Sequence, residues 1–182
     1  MIFTALPLDG AYRIDLEKRG DERGFFARVF CQTEFHAQGL HTVWAQMNTS
    51  FSRQRGTIRG MHFQRPPAAE VKLIKCVSGA VFDVIVDLRQ GSSTFGRWHG
   101  LELNAENRAM MYVPEGFAHG FQTLSDDVEL IYLHSRTYSA QHEGGLRHDD
   151  PDLSIVWPHP VKDLSARDGG HPFLTDFEPI VL

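Results

Sequence analysis

"GTIRGMHFQRPPAAEVKLIKCVSG", residues 56–79, is the stretch whose reading decides the fold and the chemistry. Five residues separate Gly56 from His62, Gln64 follows two places later, and six residues separate Lys72 from Gly79. The frame is that of a metal site with half its ligands removed. Zinc and iron are held by neutral imidazoles, carboxylates and thiolates, whereas an ammonium offers no lone pair and repels the ion. A lysine beside a histidine serves a different chemistry: the cation stabilises an oxyanion while a neighbouring base removes a proton.

Outward from this stretch the chain reads as short strands. "VKLIKCV", "GAVFDVIVDLR", "WHGLELN", "MMYVPEGFAHGFQTL" and "DVELIYLHSRTY" are rich in β-branched and aromatic residues and are separated by Gly, Ser, Asn or Asp clusters. That spacing predicts an all-β sandwich or barrel. Helical signal is confined to pieces such as "TEFHAQGL", with Thr33 as the expected cap at its start and Gly39 at its end. No internal repeat, low-complexity segment or heptad run is present. Pro158, Pro160 and the polar "KDLSARDGGHP" that follows predict a tail, from about residue 159 to 182, that wraps over the body.

Composition excludes several classes. With 182 residues, 42% of them hydrophobic, the chain has material for one substantial core, so one domain over residues 1–182 is expected. Nowhere do roughly 18 consecutive apolar residues occur, and "MIFTALPLDGAYRIDLEKRGDERG" has no basic region ahead of an apolar run. No membrane association and a cytoplasmic location are therefore expected. Cys31 and Cys76 lie in segments that read as strand or core, which predicts small buried hydrophobes and no disulfide. A net charge of -5 argues against nucleic-acid binding. Even so, Arg53, Arg55, Arg59, Arg65, Lys72 and Lys75 crowd into one region, which leaves room for a local anion site.

The opening stretch resembles the first motif of the metal-binding cupins, small double-sheet jelly rolls. Gly56, His62 and Gly79 fit, and "PEGFAH" supplies the Pro114, Gly116 and His119 of the second motif. Gln64 stands where the second His belongs, and Lys72 at the Glu position. More specifically, "DERGFF", "IRGMHFQ", "KL", "GAVFDVIVDLR", "STFGRW", "LNAENR", "YVPEGFAHGF", the Tyr of "ELIYLHSRTY", and "DDPDLSIVWP" resemble, in order, the dTDP-4-dehydrorhamnose 3,5-epimerases, metal-free relatives of the cupins.

The resemblance implies a cupin-type double-sheet jelly roll with a few short helices, and a homodimer, because the family covers its sheet edges by pairing subunits. It implies an isomerase that epimerises a nucleotide-linked 4-keto-6-deoxyhexose at C3, C5 or both through an enolate, without metal or cofactor. His62 matches the catalytic base, Asp168 the carboxylate that orients it, Tyr132 the acid on the opposite face of the sugar, and Lys72 the cation near the 4-keto oxygen. Arg23, Gln46, Asn48, Arg59, His119, Tyr138, Glu143 and Arg167 match positions that bind the nucleotide diphosphate or the sugar. Arg28, where many members carry a nearby Glu, His148 in place of a common Trp, and the proline-bearing "RPPAAEVKL" depart from the pattern, all in its substrate-facing part. The nucleobase stays open. Two other readings are a metal-dependent cupin isomerase or dioxygenase using His62 and His119 as ligands, and a non-catalytic sugar-nucleotide binding module.

Overall fold

The computed structural model describes residues 1–182. Its strands are β1 (Ile2–Ala5), β2 (Tyr12–Asp15), β3 (Arg19–Asp21), β4 (Gly24–Phe26), β5 (Gln46–Ser52), β6 (Ile58–Gln64), β7 (Lys72–Ser78), β8 (Ala80–Asp87), β9 (Trp98–Asn104), β10 (Met110–Val113), β11 (Phe117–Thr123), β12 (Val128–His134) and β13 (Glu143–Gly145). The α-helices are α1 (Gln32–Ala37) and α2 (Ala166–Gly169). No helix is long and apolar enough to cross a membrane.

The strands form a six-stranded sheet in the order β1-β2-β10-β7-β12-β5 and a five-stranded sheet in the order β13-β6-β11-β8-β9, antiparallel throughout. The expected all-β double-sheet architecture is therefore present. From β7 onward the chain crosses repeatedly between the layers, as a jelly roll does. The run "MMYVPEGFAHGFQTL", read from sequence as one strand, is two, and they lie in different sheets. Pro114 removes a donor, and Gly116 adopts φ +80, so the chain turns there and changes layer.

Side-chain alternation explains the core. Ile74 and Cys76 of β7, Val81 and Ile85 of β8, Phe117 and Phe121 of β11, and Val128 and Leu130 of β12 meet between the sheets. Both sheets are also covered outside. Phe35 of α1 packs with Ile14, Leu73, Met110 and Tyr112 over the six-stranded sheet. Leu153, Ile180 and the partly buried Trp157 and Phe177 cover Met61, Phe63, Val84 and Val86 of the other. Burial on two faces is why "AVFDVIVD" reads as a nearly continuous apolar run and not as an alternating one.

The C-terminal segment adds backbone ties: Ile58 N–H donates to Asp163 O at 2.9 Å, and Ile180 N–H to Leu88 O at 2.8 Å. In α1, Gly39 at φ +70 follows the helix, with Gly39 N–H donating to His36 O at 2.9 Å and Leu40 N–H to Phe35 O at 3.0 Å. This is the Schellman arrangement that the glycine foretold. The start differs from expectation, because Cys31 occupies the cap position without a side-chain bond and Thr33 lies inside the first turn. Both cysteines are free. Cys76 is buried, which pushes its thiol up to about 11, whereas Cys31 is only half-buried beside the helix and belongs to no strand.

Candidate active site

The rows of inward-facing residues that build the core turn polar toward one side. On β7 the row Cys76, Ile74 continues to Lys72; on β12 the row Val128, Leu130 continues to Tyr132 and His134; on β11 Phe121 is followed by His119. Met61 and Phe63 of β6 point outward into the covering layer, so His62 between them points in. The result is a cavity of about 510 Å³ between the sheets. Asn48, Arg59, His62, Lys72, His119, Tyr132, Arg167 and Asp168 line it, bringing together eight of the residues singled out from sequence.

His62 and Asp168 are hydrogen-bonded, His62 Nε2 to Asp168 Oδ1 at 2.8 Å. The carboxylate is fixed on its other side, where Oδ2 accepts from Gly60 N–H at 3.0 Å, and Ser165 caps the short α2 by accepting from Asp168 N–H at 3.0 Å. Burial alone would raise the Asp168 pKa; the bonds from His62 and Gly60 outweigh it and hold the carboxyl at about 2. Asp168 is thus ionised at neutral pH and keeps Nε2 of His62 engaged, leaving Nδ1 as the nitrogen without a protein partner.

Gly60 makes this geometry possible. Its φ is +118, and a Cβ there would lie 2.6 Å from Gly120 Cα, across the bulge where β6 and β11 approach closely. Gly60→Ala is expected to combine backbone strain with a steric clash and to destabilise the fold by about 3 kcal/mol or more, lowering Tm by roughly 6–12 °C. Calorimetry checks this, and an unchanged Tm contradicts it.

Across the cavity, the Tyr132 hydroxyl lies 2.8 Å from Ser50 Oγ. Burial raises the Tyr132 pKa, Ser50 and Arg59 offset part of this, and Asp83 adds to it, so the phenol stays protonated at neutral pH. His119 Nε2 meets Asp83 Oδ1 at 2.7 Å, both groups being buried, and the His119 and Tyr132 rings stand edge to face at 6.2 Å. Lys72 Nζ donates to His62 O at 3.2 Å and lies 3.4 Å from Glu70 Oε1, whose other oxygen accepts from His134 Nδ1 at 2.9 Å. Burial works against the Glu70 charge, but His134 and Lys72 more than compensate and lower its pKa.

Gln64 is buried away from the cavity: its amide donates to Ala68 O at 3.0 Å, and its carbonyl accepts from Ser139 N–H at 2.6 Å. The side chain at the missing-ligand position therefore braces loops. His62 and His119 are cross-strand partners in the cavity, but the position of the carboxylate ligand is held by the Lys72 ammonium and that of the second His by Gln64, which is turned away. This donor set does not fit the metal centre of a cupin that would use both histidines as ligands.

Three further expected residues form the rim beside Arg167. Gln46 accepts from Tyr138 N–H at 3.0 Å, the Tyr138 hydroxyl donates to Glu143 at 2.7 Å, and Glu143 pairs with Arg167. Tyr138 is 59% exposed, so its ring face is free. Arg23 is not brought to the cavity. It projects from the β3–β4 hairpin, 90% exposed and paired only with Asp21, because that hairpin joins neither main sheet. Arg28 pairs with Glu34 near α1, and His148 is buried near Trp157, which donates to its carbonyl; neither lines the cavity, so these departures are not substrate-facing in the chain.

Sequence reasoning missed Ser50, Glu70, Asp83, His134 and Ser165. Asp83 carried a usable signal as an acid in the middle of an apolar strand, on the same face as Val81 and Ile85. Glu70 and Ser165 gave none, since their roles arise from partners far along the chain.

A family model described as dTDP-4-dehydrorhamnose 3,5-epimerase matches residues 5–176. A dTDP-4-dehydrorhamnose 3,5-epimerase of Sinorhizobium fredii is 44% identical over 177 residues, 97% of this chain and 91% of the relative. A dTDP-4-dehydrorhamnose 3-epimerase of Streptomyces niveus is 43% identical over 169 residues, 92% of this chain and 81% of the relative. The crystal structure of dTDP-4-dehydrorhamnose 3,5-epimerase from Elizabethkingia anophelis matches with a TM-score of 0.93 at 39% identity, covering 97% of both chains. A matching model over nearly the whole length, and relatives this similar in sequence and backbone, establish that the chain belongs to the dTDP-4-dehydrorhamnose 3,5-epimerase family.

Proposed function

We propose that this protein is an isomerase that inverts a nucleotide-linked 4-keto-6-deoxyhexose at one or both carbons flanking the ketone, for deoxysugar biosynthesis. The observation that carries the reading is the opposition of His62, on the five-stranded sheet, to Tyr132, on the six-stranded sheet, across one cavity that also holds Lys72. Inversion needs a base on one face of the sugar and an acid on the other.

Nδ1 of His62 takes the proton from carbon, and Asp168 holds the ring and stabilises the imidazolium. The electron pair of the broken C–H bond moves toward the ketone oxygen, where the Lys72 ammonium meets the developing charge. Glu70 positions that ammonium. The Tyr132 hydroxyl then protonates the same carbon from the opposite face. C3 and C5 are both adjacent to the C4 ketone, so one base and one acid serve either. Arg59 and Arg167 supply forked donors for a diphosphate, with Asn48 beside them, and the free ring face of Tyr138 suits a nucleobase. His119, held by Asp83, contacts the sugar.

The chain acts as a homodimer. β5 is an edge strand with Met47 69% and Phe51 51% exposed, and the unpaired hairpin exposes Phe26 at 73%. A second copy covering these surfaces would also give Arg23 a substrate to contact. Light scattering is expected to report a dimer at micromolar concentration, and a monomer contradicts it. Two free cysteines fit the reducing cytoplasm.

Purified protein offered 4-keto-6-deoxyglucose linked to dTDP, CDP or GDP tests the reading, with products followed by proton NMR at C3 and C5. An epimer is expected with at least one of the three, at the same rate with and without EDTA. No epimer from any of them, or activity that EDTA abolishes, overturns it.

A further inference from the structure

His171 lies beside the His62–Asp168 pair but lines a second cavity, with Glu143, Gly145 and Arg167, and not the one between the sheets. Its Nε2 is buried without a hydrogen-bond partner and lies 3.9 Å from Asp168 Oδ1. The His171 ring stands edge to face with that of His62 at 5.8 Å. Gly145 makes room for it, since a Cβ there would be 2.4 Å from the ring. A buried donor or acceptor left unpaired costs stability unless something occupies it.

We propose that His62 Nε2, His171 Nε2 and Asp168 Oδ1 form a site for a divalent transition-metal ion of the zinc type, and that its occupancy switches the enzyme off. One ligand atom from each of the three residues lies within 4.8 Å of the others. Tetrahedral zinc, with bonds of about 2.0–2.1 Å, sets its donors roughly 3.3 Å apart. The 2.8 Å separation of His62 from Asp168 therefore opens by about half an ångström, the 3.9 Å separation of His171 from Asp168 closes by about as much, and that of His62 from His171, within 4.8 Å, closes by up to about 1.5 Å. Asp168 is already anchored through Gly60 and Ser165, as a ligating carboxylate should be. Water from the second cavity takes the fourth position. Arg167 opposes a cation, but its charge is taken up by Glu143. Two imidazoles select zinc, cobalt or nickel over magnesium and calcium, which prefer oxygen.

The inhibitory step rests on His62 acting as the base. Coordination through Nε2 moves the proton of the neutral imidazole to Nδ1, without net proton release. Nδ1 then has no lone pair for the substrate proton. Because the ion sits off the sugar, kcat falls and KM does not change.

The test is Co2+ titration of the full chain, read by visible absorption, with Zn2+ inhibition measured in parallel. One equivalent of Co2+ is expected to give the intense bands of a tetrahedral site, displaced by Zn2+ and absent in both His171→Ala and His171→Phe. Zn2+ is expected to lower the wild-type kcat at least tenfold, reversibly by EDTA, while both variants keep basal turnover and resist. Absence of tetrahedral bands in the wild type, or equal bands in the variants, overturns the site. Bands that need His171 without any loss of turnover overturn the inhibition and His62 as the base, while the metal site stands. The absorption reads the site even on protein that turns over no sugar, so its failure is distinct from failure of the proposed activity.

Discussion

His62→Ala is expected to abolish both epimer formation and exchange of the substrate's C3 and C5 protons with solvent. The imidazole is the group that begins the reaction, and Asp168, left behind with a carboxylate held at about 2, lies on the far side of the missing ring. Loss of a general base costs on the order of 10²–10⁴ in rate, and here it also removes enolate formation, so no partial reaction survives. The substitution removes a partly exposed ring, so the fold should persist. Proton NMR in D2O, with circular dichroism as the control for folding, reads the outcome. Exchange at more than about a hundredth of the wild-type rate would place the base elsewhere.

Tyr132→Phe should separate the two halves of the chemistry. Only the hydroxyl is lost, and the ring keeps its place against the core beside Leu130. Ser50 Oγ loses its partner across the sheet, a modest cost. His62 can still withdraw the proton and return it to the face it came from. Residual deuterium uptake into unchanged substrate is therefore expected, with inversion impaired on the order of 10²–10⁴. Inversion near the wild-type rate in folded protein would remove Tyr132 from the acid role. The direction of its pKa shift fits the expectation, because a phenol held protonated by burial is a donor at neutral pH and not a base.

These two roles were legible in the sequence through the family resemblance of "IRGMHFQ" and "ELIYLHSRTY", and the register of the two strands supplies their physical ground. Once Met61 and Phe63 face the outer layer, His62 faces in; once Leu130 joins the core, so does the side of Tyr132. The strands from Ile2 to Ser52 left little trace, because four of the five have three or four residues and several are exposed, with no alternation to detect. The break of β10 from β11 was written in Pro114 and Gly116 but masked by apolar residues on both sides. The placement of Arg23 was not legible at all. Its motif is local, whereas its distance from the cavity follows from a hairpin that pairs with neither sheet. The same holds for Glu70 and Ser165, whose partners His134 and Asp168 are fixed by tertiary contact and by a short helix that no periodicity announces.

A base and an acid on opposite sheets make one claim about where the hydrogen on the inverted carbon comes from. A single turnover of wild-type protein on the 4-keto-6-deoxy sugar nucleotide in D2O, quenched before the product can react again, reads it directly by NMR and mass spectrometry. The expected product carries solvent deuterium at every inverted carbon, because the proton taken by His62 leaves on one face and Tyr132 delivers another from solvent on the opposite face. A product that retains the substrate's own hydrogen at the inverted carbon would contradict it, since that hydrogen would have to have been carried by one group from one face of the sugar to the other.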